Sequence, residues 1–145
     1  MNVSEVCSRR PTTCSASAPL SEVARLMYDH HVGTVVLTCS PADRPVPAGI
    51  LTDRDIICAQ IEHGADLSRL PASDQMTRDP LSVCEDVPVE EALELMRSRG
   101  VRRAIILDKS GGLAGVVSID DITLHLASEI AAIARLLEAQ AVHST

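Results

Sequence analysis

Two short runs in this chain place a hydroxyl three positions before a carboxylate: Thr52-Asp53-Arg54-Asp55 and Ser118-Ile119-Asp120-Asp121. Each follows a glycine and two aliphatic residues, Gly49-Ile50-Leu51 and Gly115-Val116-Val117. That is the pattern of a short buried strand running into a helix. Two chemistries fit it. In a capping box the hydroxyl accepts the N3 amide and the acid reaches back to the N-cap amide. In an anion site the same hydroxyl and free amides face a phosphate. The carboxylate then accepts both hydroxyls of a ribose. One such run reads as a cap. Two of them, each after Gly-aliphatic-aliphatic, favour binding.

Other chemistries find less support. The five cysteines (Cys7, Cys14, Cys39, Cys58, Cys84) form no C-x-x-C pair, and His30 and His31 are adjacent, so no metal site is expected. Cys14 and Cys39 fall at strand edges in one half of the chain, which leaves a disulfide between them open beside five free thiols. Asp120 and Asp121 resemble a carboxylate pair, but adjacent helical residues point about 100° apart. With no acid/base constellation and no Cys–His arrangement, an enzyme is not expected. Nucleic acid is disfavoured by a charge of −7 and by Tyr28 being the only aromatic residue. No apolar run approaches membrane length and no signal-type apolar region opens the chain, so a soluble, cytoplasmic protein is expected.

The elements that position these runs come in two copies. At an offset of 69, Ser4, Arg9, Pro11, Pro19, Glu22, Leu26-Met27 and Val32 meet Ser73, Arg78, Pro80, Pro88, Glu91, Leu95-Met96 and Val101. The offset then becomes 66, and Gly49 and Asp55-Ile56 meet Gly115 and Asp121-Ile122. This is a tandem duplication. Each copy predicts a strand (Thr12–Cys14, Leu81–Val83), then a helix opened by Pro19 or Pro88. Leu20, Val23, Ala24, Met27 and Val89, Ala92, Leu93, Met96 give each helix one apolar face. A β-branched strand follows (Thr34–Leu37, Ala104–Leu107), then a turn (Ser40–Pro47, Asp108–Gly112), a third strand and a second helix. The expected fold is α/β (α+β), two β-α-β-β-α repeats packed about a pseudo-twofold axis. Its divisions are repeat 1 over 3–64, a connection over 65–75, repeat 2 over 76–130 and a helical tail over 131–145. About 60 residues per copy is marginal for an independent core, so the copies should pack together and leave clefts between them. In the tail, Ile122, Leu126, Ile130, Ile133 and Leu137 form a seam able to meet a partner helix or the chain's own body.

Gly49-Ile50-Leu51-Thr52-Asp53-Arg54-Asp55 and Gly115-Val116-Val117-Ser118-Ile119-Asp120-Asp121 resemble the G-h-h-T/S-x-x-D signature of CBS domains. Gln75–Pro80 and Gly100–Arg103 are similar to further motifs of that family. The resemblance implies a CBS pair, or Bateman module. It would be a stand-alone sensor of adenosine-containing ligands (AMP, ADP, ATP, NAD or S-adenosylmethionine), usually dimeric and regulatory, acting on an effector protein that the sequence does not name. It puts Asp55 and Asp121 on ribose, and Thr52 and Ser118 on phosphate. Thr12, Val32 and Val116 would wall the cleft at Ser118 and Asp121. Leu81, Val101 and Ile50 would wall the cleft at Thr52 and Asp55. Arg102 and Arg103 would bind phosphate in the Ser118 cleft, with Arg54 assisting there. Gly33-Thr34 would lie with the Thr52 cleft, and Asp120 would repel anions from it. The rival is a structural or redox-responsive interaction module with vestigial clefts and Cys14 and Cys39 as its working residues.

Overall fold

The computed structural model describes residues 1–39, 45–64 and 66–144. Most of the expected Ser40–Pro47 turn lies outside them. Strand β1 (Thr13–Ser15) leads into helix α1 (Leu20–His30), strands β2 (Thr34–Thr38) and β3 (Pro47–Thr52), and helix α2 (Asp53–His63). A single-turn 3-10 segment, short helix α3 (Ala72–Gln75) and strand β4 (Thr77–Arg78) connect the copies. The series then repeats as β5 (Ser82–Cys84), α4 (Val89–Arg99), β6 (Arg103–Leu107), β7 (Leu113–Ser118) and α5 (Ile119–His143). The mixed α/β architecture matches the expected order. Pro19 and Pro88 stand one residue earlier than expected, as N-caps in extended conformation ahead of each helix.

Alternation along the middle strands sets the layers. Val35 and Leu37 join Leu20, Val23, Met27 and Leu51 in one apolar core. Ala104 and Ile106 join Val89, Ala92, Met96 and Val117 in the other. Val36 and Ile105, one step out of phase, are also buried but line the clefts between the copies.

Each sheet is completed by the other copy's leading segment. β4, at the start of the second copy, pairs antiparallel with β3 through Gly49 and Ile50. Ser8, near the start of the first copy, bridges antiparallel to Val116 on β7. Cores follow the same exchange: Val3 is buried with the second copy and Ala72 with the first. This crossing explains the two signature glycines. A Cβ on Gly49 would approach the Thr77 carbonyl to 2.8 Å, and one on Gly115 would approach the Ser8 carbonyl to 2.6 Å. Neither distance accommodates a side chain.

α5 runs unbroken for 25 residues, about 37 Å. Ile122 is its only buried residue. Leu126 is 42%, Ile130 67%, Ile133 59% and Leu137 61% exposed, so the seam does not pack on the chain's own body beyond the first turn.

Candidate functional site

Both tetrads cap their helices. Thr52 and Ser118 are N-caps in extended backbone, and their hydroxyl oxygens accept from the Asp55 and Asp121 amides at 3.3 and 3.1 Å. In return the Thr52 amide donates to Asp55 Oδ2 at 2.8 Å, and the Ser118 amide to Asp121 Oδ2 at 2.9 Å. The Ser118 hydroxyl lies 2.8 Å from the same Asp121 oxygen. Among the described residues nothing from the protein bonds Oδ1 of either acid. The capping box therefore uses one carboxylate oxygen and leaves the other as an acceptor.

Two clefts lie at these helix starts, of ≈ 260 Å³ beside Thr52 and ≈ 390 Å³ beside Ser118. The Thr52 cleft is walled by Ile50, Leu81, Val101 and Ile105, with Thr77 and Pro80 at its edge. The Ser118 cleft is walled by Thr12, Val32, Val36 and Val116, with Ser8 and Pro11 at its edge. All six aliphatic and threonine wall residues expected from sequence fall in the expected clefts. Ser118 and Asp121 line theirs. Thr52 lines its own, but Asp55 does not.

The charges sit elsewhere than expected. Arg102 and Arg103 line the Thr52 cleft, and only Arg103 also reaches the Ser118 cleft. Gly33, Thr34 and Asp120 line the Ser118 cleft. Arg54 is exposed in the first turn of α2 and lines neither. Chain continuity is the reason. The start of each middle strand crosses to the opposite cleft, so Val101 cannot go there without Arg102 and Arg103, nor Val32 without Gly33 and Thr34. The first-turn residues Asp120 and Arg54 stay with their own helices.

The electrostatic result is a basic Thr52 cleft, with two arginines and no lining carboxylate, and a mixed Ser118 cleft, with Arg10 and Arg103 against Asp120 and Asp121. Arg102 Nη2 also meets Asp120 Oδ1 at 3.3 Å, an exposed pair worth at most about 1 kcal/mol. Thr34 holds the one buried side-chain polar atom without a partner among the described residues, its hydroxyl. Sequence reasoning missed Ser8, Arg10, Pro11, Val36, Thr77, Pro80 and Ile105 as wall residues. The repeat offset could have found most of them, since Ser8 and Thr77, and Pro11 and Pro80, are 69 apart.

All five cysteines are free. Cys14 pairs in register with Leu37, two residues short of Cys39. Ordinary strand spacing then separates the two Cα atoms by roughly 8 Å, beyond the ~7 Å a disulfide spans. Burial pushes the Cys7 and Cys14 thiols up, with Asp121 adding to the effect at Cys7 and Glu22 at Cys14. Raised thiols are poor nucleophiles at neutral pH, which weakens the redox reading. Among the described residues no group of three or more His, Cys, Asp or Glu is placed to hold a metal ion. Nor is any helix long and apolar enough to cross a membrane.

The CBS domain family profile matches the chain twice, over residues 3–62 and 67–128. The uncharacterized protein MK0525 of Methanopyrus kandleri is 34% identical over 122 residues, covering 84% of this chain. The match spans 61% of that relative's own length. The CBS domain-containing protein YhcV of Bacillus subtilis is 29% identical over 124 residues, 86% of this chain and 84% of YhcV. Among solved structures, the CBS domain protein PAE2072 from Pyrobaculum aerophilum, complexed with AMP, is 33% identical. It aligns with a TM-score of 0.74 over 88% of this chain and 99% of that one. The CBS domain pair of MJ0100, in complex with 5-methylthioadenosine and S-adenosylmethionine, shares the fold at TM-score 0.74 and 21% identity, over 87% of this chain and 99% of that one.

Proposed function

Because the chain belongs to the CBS domain family, as a tandem pair of such domains, we propose that it is a regulatory module whose two clefts bind adenosine-containing ligands, AMP foremost. The observation that carries this reading is the composition of the Ser118 cleft. A capped helix start, an Asp121 carboxylate with one free oxygen, two arginines and aliphatic walls at Val32 and Val116 meet in a single cavity. Apolar walls desolvate the faces of a base, the carboxylate takes ribose hydroxyls, and guanidinium groups grip phosphate. The AMP complex of a protein 33% identical to this one supports the same ligand class.

The role is sensing rather than catalysis. A ligand in the Thr52 cleft touches Ile50 and Thr52 of one copy and Leu81, Val101 and Arg102 of the other. Its affinity therefore depends on how the copies sit, and binding shifts that arrangement for an effector to read. The module is also a homodimer. α5 exposes Leu126, Ile130, Ile133 and Leu137, a seam that a second copy of the same helix covers.

Calorimetric titration with AMP, adenosine and guanosine monophosphate tests the ligand class. Saturable binding of AMP and adenosine, with weaker guanosine monophosphate, is expected. Heat only at the level of buffer mixing for all three contradicts the reading. For the dimer, light scattering should give twice the chain mass, and truncation after Glu129 should shift it towards monomer. A full-length chain that stays monomeric at high concentration contradicts it.

A further inference from the structure

The two clefts do not have separate sets of cations. Arg103 opens β6, is half-buried and lines both cavities. Antiparallel pairing places it opposite Ser118, which lines one cleft, while its chain neighbours Val101 and Arg102 line the other. Arg102 is engaged by Asp120. Among the described residues, nothing from the protein forms a hydrogen bond or ion pair with the Arg103 guanidinium.

We propose that Arg103 is a single phosphate-binding cation shared by both clefts, so that an anionic ligand in one weakens the binding of an anionic ligand in the other. The inference rests on the adenosine-ligand reading above. One guanidinium offers one well-aligned fork to a bidentate phosphate. When the Thr52 cleft takes it, the Ser118 cleft keeps Arg10 against Asp120 and Asp121. When the Ser118 cleft takes it, the Thr52 cleft keeps Arg102. The coupling factor is the same in both directions by linkage, but the Thr52 cleft fills first with phosphate. An uncharged adenosine makes no demand on Arg103, so this competition between the clefts is absent when it binds.

Methyl resonances of Val101 and Val32 report the two clefts separately, and titrations with AMP and adenosine read them. In the wild type, AMP isotherms at the two reporters should depart from simple hyperbolae by a coupling factor of about fivefold or more, whereas adenosine isotherms should not. Arg103→Gln should weaken AMP about tenfold or more at both reporters, restore simple hyperbolae and leave adenosine unchanged. Arg103→Lys, which keeps the charge, should recover part of the AMP affinity at both, separating loss of charge from loss of fold. Wild-type AMP isotherms that are independent or positively coupled overturn the proposal. So does an Arg103→Gln effect confined to one reporter. Either outcome, with ligand bound, leaves the adenosine-ligand reading standing. A wild type that takes up neither AMP nor adenosine overturns both.

Discussion

The Thr52 and Ser118 clefts are built from equivalent positions of one duplicated frame. Thr77, Pro80, Leu81, Val101 and Ile105 of the first match Ser8, Pro11, Thr12, Val32 and Val36 of the second at an offset of 69. Ile50 and Thr52 match Val116 and Ser118 at 66. The walls are nearly interchangeable, yet the charges are not. Arg102-Arg103 in one cleft face Gly33-Thr34 in the other, and Arg54 stands outside where Asp120 stands inside. The apolar and hydroxyl wall positions carried over between the copies, while the charged positions diverged, at strand starts and helix first turns alike. One frame thereby presents a basic cleft and a mixed one.

Removing the basic cleft's private arginine should have the largest effect. Arg102→Ala should weaken AMP in the Thr52 cleft by about tenfold to a hundredfold, from a charged hydrogen bond of roughly 1.5–3 kcal/mol. Adenosine there should change little and AMP in the Ser118 cleft should not weaken, because Arg103 is then left to that cleft, as site-resolved titration reads. Equal losses in both clefts would erase the distinction. The acids come next. Asp121→Ala and Asp55→Ala each remove a capping box and should each lower stability by about 1 kcal/mol, or about 3 °C in thermal melts. Only Asp121→Ala should also weaken adenosine, by about tenfold, because Asp55 does not line its cleft. A matching loss of affinity in Asp55→Ala would make the clefts equivalent at the ribose. Smaller still, Asp120→Asn should strengthen AMP in the Ser118 cleft by a few-fold at low salt, a gain that fades as ionic strength rises. Arg54→Ala should leave calorimetric binding to both clefts unchanged.

Much of this arrangement was legible in the sequence. The offsets gave the duplication, and alternation and glycine placement gave the strands. The G-h-h-T/S-x-x-D runs gave the helix starts, and the family resemblance they carry implied wall residues such as Val32 and Val101. What sequence missed has one physical origin, the crossing of chain segments between copies. Offsets align β4 with the segment around Ser8 but do not say that each completes the other copy's sheet. The same crossing carries Arg102 and Arg103 to the Thr52 cleft, although their position in the second copy suggested the Ser118 cleft. That Arg103 lines both cavities depends on their meeting at one strand start, which no one-dimensional pattern encodes. Thr52, Ser118 and Asp121 both cap a helix and line a cleft, so at these residues capping does not exclude the binding reading, whereas Asp55 only caps.

The measurement that tests the account most directly is the ratio of AMP to adenosine affinity in each cleft of the wild-type protein, read at the methyls of Ile50 and Val101 for one and Val32 and Val116 for the other. Two arginines without a lining carboxylate should make that ratio larger in the Thr52 cleft than in the Ser118 cleft, where Asp120 and Asp121 oppose the phosphate. The difference should narrow as salt is raised. An equal ratio in both clefts, or a larger one in the Ser118 cleft, would contradict the account.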